Sequence, residues 1–441
     1  MINEGAPGGE INSALAAWPY RLGMSFYKFA ISAFFQCGGL SRLRKKYKIG
    51  LEERMGELGA DIPKNALWLH AVSVGEVQPA LSLVEAAKED MALPCVLSTV
   101  TTTGRTMAEQ ISSAQKAASR ADSMIYNPWD APRFVKRALD SLEPRAYVAV
   151  ETERWPTMLA ELHARGIPAF LLNGRLSEES TERLLRFRSF WRGVLCCFTC
   201  LTVRFESDKE NFLSLGMPEE KIIVTGDCKI DAILRRKDKV DPAKWAHLRR
   251  GGDTPLFIAG STHKGEDEVV LEGFAKVRRV YPGARLIIVP RHPERALFAV
   301  AAALPYGKVD LLTDLTPDWD IMVVNKIGVL FELYAVADAA FIGGSLVPRG
   351  GQNPMEPALF EIQVTHGPLM YNFPDTARMN ELGAAQVIEN ADGLAEAWLQ
   401  AVTPQERERA RQASRKYFDS AGGAVQRSWE IIKPYIEKRR H

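Results

Sequence analysis

The chain has 441 residues, of which 46% are apolar and 25% are charged. These proportions are ordinary for a folded globular protein of two or three domains, and they exclude a disordered chain, a collagen-like chain and a polytopic membrane protein. The net charge is +2, from 56 basic and 54 acidic side chains, so no general excess of cations indicates nucleic acid as a partner. The charge is uneven, however, because residues 18–50 carry seven cations and no acid.

The first fifty residues divide into two segments. Residues 1–17 are rich in glycine and are predicted to form a disordered extension. Residues 18–50 combine aromatic side chains with cations, a pattern typical of a helix that lies in the membrane interface. Their charge-free apolar part, 29–41, is shorter than the about 20 residues that span a bilayer. We therefore predict a membrane-associating segment over 18–50, with an ordinary amphipathic helix packed on the core as the alternative.

Six cysteines are sparse for a chain of this length. Cys197 and Cys200 form a single CxxC, but they lie in an apolar run, and no second CxxC completes a zinc site. Free cysteines in such runs pack as small apolar side chains. The pattern predicts structural thiols in a reducing compartment rather than a disulfide framework.

Short apolar runs and amphipathic segments alternate along the chain from residue 66 onwards. The first series predicts strands at 66–72, 94–100, 146–151 and 167–174 and helices at 78–90, 101–112 and 156–166. After a charged stretch, the second series predicts strands at 255–261, 284–290 and 339–345 and helices at 265–281 and 329–338. Such alternation predicts parallel sheets with helices on both faces.

The sequence therefore predicts an α/β fold of two doubly wound, Rossmann-like domains that face each other across a cleft. We place the first domain at 51–228 and the second at 255–441, the latter with a C-terminal helix. The charged residues 229–254 between them are poor in strand signals and are predicted to be a linker. Ligands of such sheets bind beyond the carboxyl ends of the strands, so the loops there are the candidate sites.

The first candidate loop is HAVSVGEV, which follows the first predicted strand. Gly75 is expected to permit a tight turn from the strand into the helix. Glu76 then lies near the N-terminus of that helix, where the helix dipole stabilises a carboxylate. The same placement suits a general base that faces a cleft, and the alternative is that Glu76 only complements the helix start.

The second candidate loop is VAVETERWP, which carries two carboxylates at a strand end. Glu151 and Glu153 are like charges, which raise each other's pKa when they lie close together. In an extended segment both side chains point to one face. A solvated loop, or a salt bridge to Arg154 or Arg175, is the alternative.

The third candidate loop is FIGGSLVPRGGQNPMEP. Its glycine pairs, 343–344 and 350–351, allow backbone amides to approach a ligand closely. Asn353 or Gln352 is predicted to cap the following helix, with Pro354 in the first turn. A helix N-terminus behind a glycine loop is a ready phosphate site.

Other residues of the second series complement this phosphate site. Arg291 and His292 in VPRHPER are donors suited to a phosphate, and Glu356 is placed to accept hydrogen bonds from a ribose. Neither glycine loop has the GxGxxG or P-loop spacing, so a dinucleotide-binding domain and an NTPase are not indicated.

These segments, in this order, resemble the 3-deoxy-D-manno-octulosonic acid (Kdo) transferases of lipopolysaccharide synthesis. The matching segments occur in the same order from the basic N-terminal segment to the end of the chain. Only residues 1–17 do not match the family's pattern. It is carried by LEERMGELG, LWLHAVSVGEVQPALSLVEA, TTTGRTMAE, VETERWPTMLAELHARGIPAFLLNGRLSEES, VTGDCKIDA, AGSTHKGEDE, IIVPRHPER, YAVADAAFIGGSLVPRGGQNPMEPALF and GPLMYNFPD.

The resemblance implies a membrane-associated GT-B glycosyltransferase on the cytoplasmic face of the inner membrane. Such an enzyme moves Kdo from CMP-Kdo to a lipid A precursor bound by the first domain, with inversion and without a metal ion or cofactor. Glu76 would be the general base, and Glu151 and Lys229 would fall at positions that stabilise the transition state. The second domain would bind the CMP-sugar through Pro290, Arg291, Ile327, Gly328, Val329, Asn353, Pro354, Met355 and Glu356.

Four features depart from the family's usual pattern. Asp227 replaces a small polar residue or asparagine, and EIQVTHGP lacks the usual glycine before the last strand. Gln352 stands where the family usually has histidine, and Val329 stands where it usually has glutamate. These changes remove a proton-carrying side chain and one polar contact to the nucleotide. They keep open a divergent relative with another donor sugar, and a catalytically weak lipid- or nucleotide-binding homologue. A GT-B enzyme that uses a nucleoside diphosphate sugar is a further alternative.

Overall fold

The computed structural model describes residues 14–15, 17–39, 41, 43, 47, 49–114, 120–251, 254–373 and 375–438. The chain forms two compact units, Met1–Ala232 with Ala421–His441, and Ile233–Ser420. Most of the predicted extension 1–17 lies outside the described residues, although Ala14 and Leu15 are helical. The five cations between residues 42 and 48 also lie outside them.

A seven-stranded parallel sheet forms the centre of the first unit, with the strand order β3-β2-β1-β4-β5-β6-β7. Its strands are β1 (Leu67–His70), β2 (Cys95–Thr99), β3 (Ser123–Tyr126), β4 (Ala146–Val150), β5 (Ala169–Gly174), β6 (Cys200–Val203) and β7 (Ile222–Val224). Its helices up to residue 214 are α1 (Trp18–Phe34), α2 (Leu51–Arg54), α3 (Val74–Met91), α4 (Thr102–Ala114), α5 (Pro132–Leu142), α6 (Pro156–Ala164), α7 (Glu178–Leu185), α8 (Arg188–Cys196) and α9 (Glu206–Ser214).

Both faces of this sheet are covered, which explains why its central strands are almost wholly apolar. Successive side chains alternate between two cores: Trp68 packs on one face and Leu69 on the other. The neighbouring strand contributes Tyr147 and Val148 in the same way. In this register Trp68 and Tyr147 are direct partners, and their rings meet edge to face at 5.3 Å.

Helix α1 begins at Trp18, with a proline in its first turn where the missing N–H costs nothing. It buries Tyr20 and Met24, which are one helical turn apart. Among the helices of the described residues, none combines the length and apolar character that crossing a membrane requires. The predicted helical character of this part of 18–50 is therefore confirmed, and its contact with a membrane stays a prediction.

All six cysteines are free thiols. Five are buried and only Cys37 is exposed. Cys197 lies 3.7 Å from the hydroxyl of Tyr20, and burial raises the pKa of the Cys197 thiol to about 11. The prediction that the CxxC cysteines are structural is confirmed.

The C-terminal helix belongs to the first unit, not to the second domain as predicted. This helix, α18 (Ala424–Lys438), buries Trp429 in the core that also contains Phe170 of β5. The indole Nε1 of Trp429 donates to Asp90 at 2.8 Å. The amphipathic pattern of α18 correctly indicates a buried face, but it carries no information about which of two similar sheets will cover that face.

The second unit is built on another seven-stranded parallel sheet, with the order β10-β11-β9-β8-β12-β13-β14. Its strands are β8 (Leu256–Thr262), β9 (Arg285–Pro290), β10 (Val309–Leu311), β11 (Ile321–Val323), β12 (Ala339–Ile342), β13 (Gln363–His366) and β14 (Gln386–Val387). The remaining helices, in chain order, are α10 (Cys228–Lys237), α11 (Asp267–Val280), α12 (Ala296–Ala303), α13 (Leu330–Leu333), α14 (Met355–Ala358), α15 (Thr376–Leu382), α16 (Ala391–Ala401) and α17 (Pro404–Ala421).

The predicted linker 229–254 is folded over most of its length. The boundary between the units falls inside α10, and a 3₁₀ turn follows at Pro242–Leu248. Trp245 and Leu248 are buried in the core of the second unit. The stretch resembles a linker in sequence because its many cations lie on the exposed side of short helices. The predicted class, two doubly wound α/β domains, is nevertheless confirmed by the two sheets.

Candidate functional site

Three candidate residues of the first unit follow strands of one sheet at its carboxyl edge. Glu76 lies just beyond β1, Glu151 directly follows β4, and Lys229 comes after β7. β1 and β4 are neighbours in the sheet, so the parallel topology brings their loops together. The structure thus places the three predicted catalytic residues at the same end of the first unit.

Glu76 is the third residue of α3 and closes a capping box with Ser73. Its Oε2 accepts hydrogen bonds from Val72 N at 2.6 Å and Ser73 N at 3.4 Å, and its Oε1 accepts one from Ser73 Oγ at 3.0 Å. Burial raises the pKa of Glu76, the hydrogen bonds oppose this rise, and the charge of Glu151 adds to it. Glu76 therefore complements the helix start and is also a carboxylate of raised basicity.

Gly75 does not play the predicted role in the turn. It lies inside the first turn of α3, and its φ is not among the positive ones of the described chain. A Cβ built on Gly75 would lie 3.9 Å from Lys229 Nζ. The strand therefore enters the helix through Ser73, and Gly75 instead leaves room beside the lysine.

Glu151 forms ion pairs through both of its carboxylate oxygens. Its Oε1 lies 2.5 Å from Lys229 Nζ and its Oε2 lies 3.0 Å from Arg175 Nε. Its side chain is only 3% exposed. The salt bridge to Arg175, which was the predicted alternative, is thus present. Lys229, the lysine that the resemblance indicates, pairs with the other oxygen of the Glu151 carboxylate.

The expectation that Glu151 and Glu153 share an extended segment is wrong. Glu151 has a φ of +57°, in the left-handed region, so the strand ends abruptly at this residue. Glu153 instead accepts a hydrogen bond from Trp155 Nε1 at 2.6 Å. Burial, followed by the charge of Glu76, raises the pKa of Glu153 to about 7, and Glu151 contributes less.

His70 lies behind Glu153 as a neutral, fully buried ring. Its Nε2 is 3.8 Å from Glu153 Oε2, and its Nδ1 is 3.0 Å from Ser98 Oγ. Burial lowers the pKa of His70 to about 3, so the ring carries no charge near neutral pH. Its contact with Glu153 is therefore not an ion pair.

The start of α10 holds Lys229 in position. Asn173 Oδ1 accepts from Cys228 N, and Asp227 Oδ1 accepts from Lys229 N, both at 2.9 Å. Asp231, one turn further, accepts from the backbone of Gly423 and Val425 at 2.5 and 2.7 Å. These bonds fix the helix that carries the lysine against β5 and the start of α18.

The nucleotide candidates lie at the carboxyl edge of the second sheet. The segment Ile327–Val329 follows β11, and the glycine loop follows β12. Pro290 is the last residue of β9, and Arg291 follows it. Between β9 and β12 lies β8, which is hydrogen-bonded to both. The structure therefore brings these three candidate segments to one edge of the second unit.

Individual candidates in these segments differ in how accessible they are. Arg291 and His292 are exposed, as are Ile327 and Gly328. Val329 is buried in an apolar core. The side chain of Val329 therefore contributes to the packing of this unit.

The helix predicted after the glycine loop is a single turn, Met355–Ala358. Asn353 Oδ1 accepts from Met355 N at 3.0 Å, so the predicted capping residue does make a capping contact. Glu356 is 3.4 Å from Arg236 Nη1, and burial raises the pKa of Glu356 while Arg236 opposes the rise. A helix this short offers little dipole, so the exposed Arg291 is the better anion-binding group.

Glu266 organises the glycine loop, and sequence analysis missed it. This carboxylate is fully buried. Its oxygens accept from Gly344 N at 2.7 Å and from Ser345 N and Leu346 N at 3.0 Å. It also accepts from His263 N at 2.8 Å. The spacing of three residues between His263 and Glu266 is a local pattern that sequence analysis could detect. The glycine loop lies about eighty residues further along the chain, so its bonds to Glu266 have no local pattern.

The second unit also places two histidines near this loop. His263 and His292 have ring centroids 6.1 Å apart. Burial, followed by the charges of Arg349 and His292, lowers the pKa of His263.

Within the described ranges, no group of three or more His, Cys, Asp or Glu residues is arranged to hold a metal ion.

Two doubly wound parallel sheets, each with candidate residues at its carboxyl edge, are the architecture of the GT-B fold class. UDP-GlcNAc 2-epimerase from Neisseria meningitidis has this fold with a TM-score of 0.60 at 13% identity, over 85% of this chain and 100% of that one. A glycosyltransferase from Rickettsia africae has it with a TM-score of 0.54 at 11% identity, over 85% and 99%.

The sequence identifies the family more narrowly. The family model described as 3-Deoxy-D-manno-octulosonic-acid transferase (kdotransferase) matches residues 49–232. A 3-deoxy-D-manno-octulosonic acid transferase of Haemophilus influenzae is 33% identical over 419 residues, covering 91% of this chain and 95% of that protein. The chain belongs to the Kdo transferase family and is a glycosyltransferase.

Proposed function

We propose that this enzyme transfers Kdo from CMP-Kdo to a hydroxyl of a lipid A precursor in lipopolysaccharide synthesis, with inversion and without a metal ion or cofactor. Membership of the Kdo transferase family supports the transferred sugar. The donor, the acceptor and the stereochemistry belong to the proposal. The observation that carries it is the buried Glu76 carboxylate at the same sheet edge as the Glu151–Lys229 ion pair.

In the proposed reaction Glu76 accepts the proton of the acceptor hydroxyl as that oxygen attacks the anomeric carbon of Kdo. Burial favours this role, because it raises the pKa of Glu76 and so strengthens the carboxylate as a base. The hydrogen bonds from Val72 and Ser73 hold the carboxylate in place. Attack on the face opposite the leaving group gives inversion.

Charge develops in two places as CMP departs. The sugar acquires oxocarbenium character, which a carboxylate such as Glu151 stabilises. The leaving phosphate acquires negative charge, which Arg291 and Lys229 are suited to stabilise. CMP leaves as a monophosphate rather than a diphosphate, so fixed cations suffice for this role. The proposed nucleotide contacts are the segments around Pro290, Ile327–Val329 and Asn353–Glu356.

We also propose that the enzyme works at the cytoplasmic face of the inner membrane, attached through residues 18–50. The outward side of α1 supports this location. Trp18, Phe26 and Phe29 are each more than 70% exposed, and aromatic side chains flanked by cations favour the bilayer interface. An acceptor embedded in the same membrane would then reach the first unit without leaving the lipid phase.

Mass spectrometry of the lipid product, with CMP-Kdo as donor and lipid IVA as acceptor, tests the reaction directly. We expect lipid that has gained Kdo and an equal release of CMP, unchanged by a chelator. The E76Q variant should lose this activity, and E89Q, an exposed residue on the same helix, should retain it. Normal turnover by E76Q would contradict the base assignment. Stronger inhibition by UDP or ADP than by CMP would contradict the donor assignment.

A further inference from the structure

Helix α8 packs unusually closely against helix α1. A Cβ built on Gly193 would lie 2.1 Å from Tyr20 Cδ2, and one built on Gly23 would lie 2.7 Å from Phe190 Cδ2. Each helix thus supplies one glycine, and each glycine receives an aromatic ring from the other helix. Because Tyr20 meets residue 193 and Gly23 meets residue 190, the two helices run in opposite directions along their contact.

The same register, continued by three residues, sets Phe26 of α1 opposite Phe187. Phe187 immediately precedes α8. Phe26 is 71% exposed and Phe187 is 68% exposed. Leu22 of α1 and Leu185, the last residue of α7 and two residues before Phe187, are also exposed. Large apolar side chains that are exposed and contiguous indicate an interaction site.

The segment that carries Phe187 is also rich in cations. Between residues 183 and 192 the sequence RLLRFRSFWR has four arginines and no acid, the nearest preceding acid being Glu182. Arg188 Nε donates to Ser214 O at 3.1 Å and Arg192 Nε donates to Gly216 O at 2.9 Å. These backbone contacts hold two of the arginines on folded elements beside the exposed aromatic residue. Interleaved cations and aromatic side chains match an anionic bilayer surface.

We propose that the segment 185–191 and the outward side of α1 form one continuous docking surface for an anionic lipid bilayer. This inference rests on the proposed membrane location and adds a second, independently folded element to it. The membrane contact is then set by the first unit as a whole, at a fixed orientation of α1, rather than by a detachable N-terminal helix. A second copy of this chain is a poorer occupant, because pairing two such surfaces would bring the arginines of one copy against those of the other.

Vesicle flotation of the full chain tests this surface, with vesicles of phosphatidylethanolamine and phosphatidylglycerol compared with phosphatidylcholine alone. We expect F187S and F26S each to weaken partitioning roughly tenfold, the scale of one interfacial phenylalanine. R186Q should weaken binding to the anionic vesicles only. F298S is the matched control, since Phe298 is 74% exposed on the second unit, and it should bind as the unaltered chain does. Circular dichroism and thermal unfolding verify that each variant is folded.

The outcomes separate this inference from the proposed location. If F26S weakens flotation and F187S behaves like F298S, the second element is not part of the surface and the inference is overturned, while attachment through α1 stands. If the unaltered chain does not float with either vesicle, the membrane location itself fails, and the inference fails with it. If F187S instead abolishes a dimer in analytical ultracentrifugation and leaves flotation unchanged, the surface serves contact between copies and the inference is overturned.

Discussion

Lys229 Nζ lies 2.5 Å from Glu151 Oε1, and Arg175 Nε lies 3.0 Å from the other oxygen of the same carboxylate. Glu151 is nearly inaccessible, whereas the Lys229 side chain is 37% exposed. A buried carboxylate is costly unless it is paired, so the two cations stabilise its charge. Lys229 therefore forms an ion pair with Glu151 and is at the same time accessible to a ligand.

Substitution of Lys229 by alanine should affect turnover more than stability. Arg175 continues to pair with Glu151, but the ammonium that is proposed to stabilise the leaving phosphate is lost. We expect kcat/KM to fall roughly 100- to 1,000-fold, the usual effect of removing one electrostatic contact to a transition state. Quantified lipid product gives kcat/KM, and chemical denaturation gives the free energy of unfolding.

The control for this prediction is Lys237→Ala, at the other end of the same helix. Lys237 belongs to the last turn of α10 and has no proposed catalytic role. It should leave kcat/KM within about twofold. If both lysine variants lose activity to the same extent, the effect arises from the helix and not from the contact with Glu151.

Glu153 should make the stability of the enzyme depend on pH. Burial and the charge of Glu76 raise its pKa to about 7 in the folded protein, from 4.5. The folded state therefore holds the proton more tightly, and this stabilisation is complete below about pH 4.5 and lost as the pH rises through 7. The E153Q variant lacks this dependence, so the difference in unfolding free energy between the two proteins should change by up to about 3 kcal/mol over that range.

Chemical denaturation of both proteins at half-unit intervals from pH 4.5 to 8 measures this difference. Acids that do not interact with Glu153 contribute equally to both proteins and cancel, whereas Glu76, which is coupled to Glu153, does not. A difference that stays constant with pH would contradict the raised pKa of Glu153. Since Glu76 is the main charged cause of the shift, E76Q should move the transition to lower pH.

Glu266 should prove essential to the glycine loop. Replacement by glutamine removes the charge and turns an NH₂ group towards backbone donors, so that two of the four backbone N–H groups that donate to Glu266 lose their acceptor. We expect the second unit to lose about 2–3 kcal/mol of stability, since bonds to a charged group contribute about 1.5–3 kcal/mol each. Calorimetry should show weaker CMP binding. E268Q, an exposed residue on α11, should change neither.

Trp429 should be a stability residue of the first unit. The W429A substitution empties a buried site beside Phe170 and removes the hydrogen bond to Asp90. Truncation of a buried tryptophan costs about 3–5 kcal/mol. Chemical denaturation should show this loss, and Q426A, an exposed position on the same helix, should not. CMP binding should persist in W429A under native conditions, because the nucleotide candidates belong to the other unit.

Local pattern predicted the central strands of both sheets, β1, β2, β4, β5, β8, β9 and β12, because strands buried on both faces are apolar throughout. It predicted no strand at the outer positions β3, β7, β10, β11, β13 and β14. The same pattern could not assign α18 to a sheet, since either sheet would cover its apolar face. It also failed just after β4, where the chain leaves the extended conformation at Glu151, so Glu151 and Glu153 do not share the expected extended segment.

Some residues of the candidate site were predicted and others were missed, because only local patterns can be recognised in the sequence. Glu76, Glu151 and Lys229 each have a local or motif signal, and the sheet topology then unites them. Glu266 has three loop partners about eighty residues away, and no short-range spacing encodes such a contact. The burial of Val329 is likewise a property of the folded core that its neighbours in sequence do not reveal.

The second unit is an insertion within the first. The chain leaves the first unit after Ala232 and returns at Ala421. A backbone hydrogen bond from Asp227 N to Ala421 O, at 3.1 Å, connects the segment that leaves the first unit with the segment that returns to it. A fragment that ends at residue 232 would therefore lack the helix that closes one face of its sheet. The second unit, by contrast, is one continuous segment of the chain, and because its first boundary falls inside α10, a cut that separates the two units divides this helix.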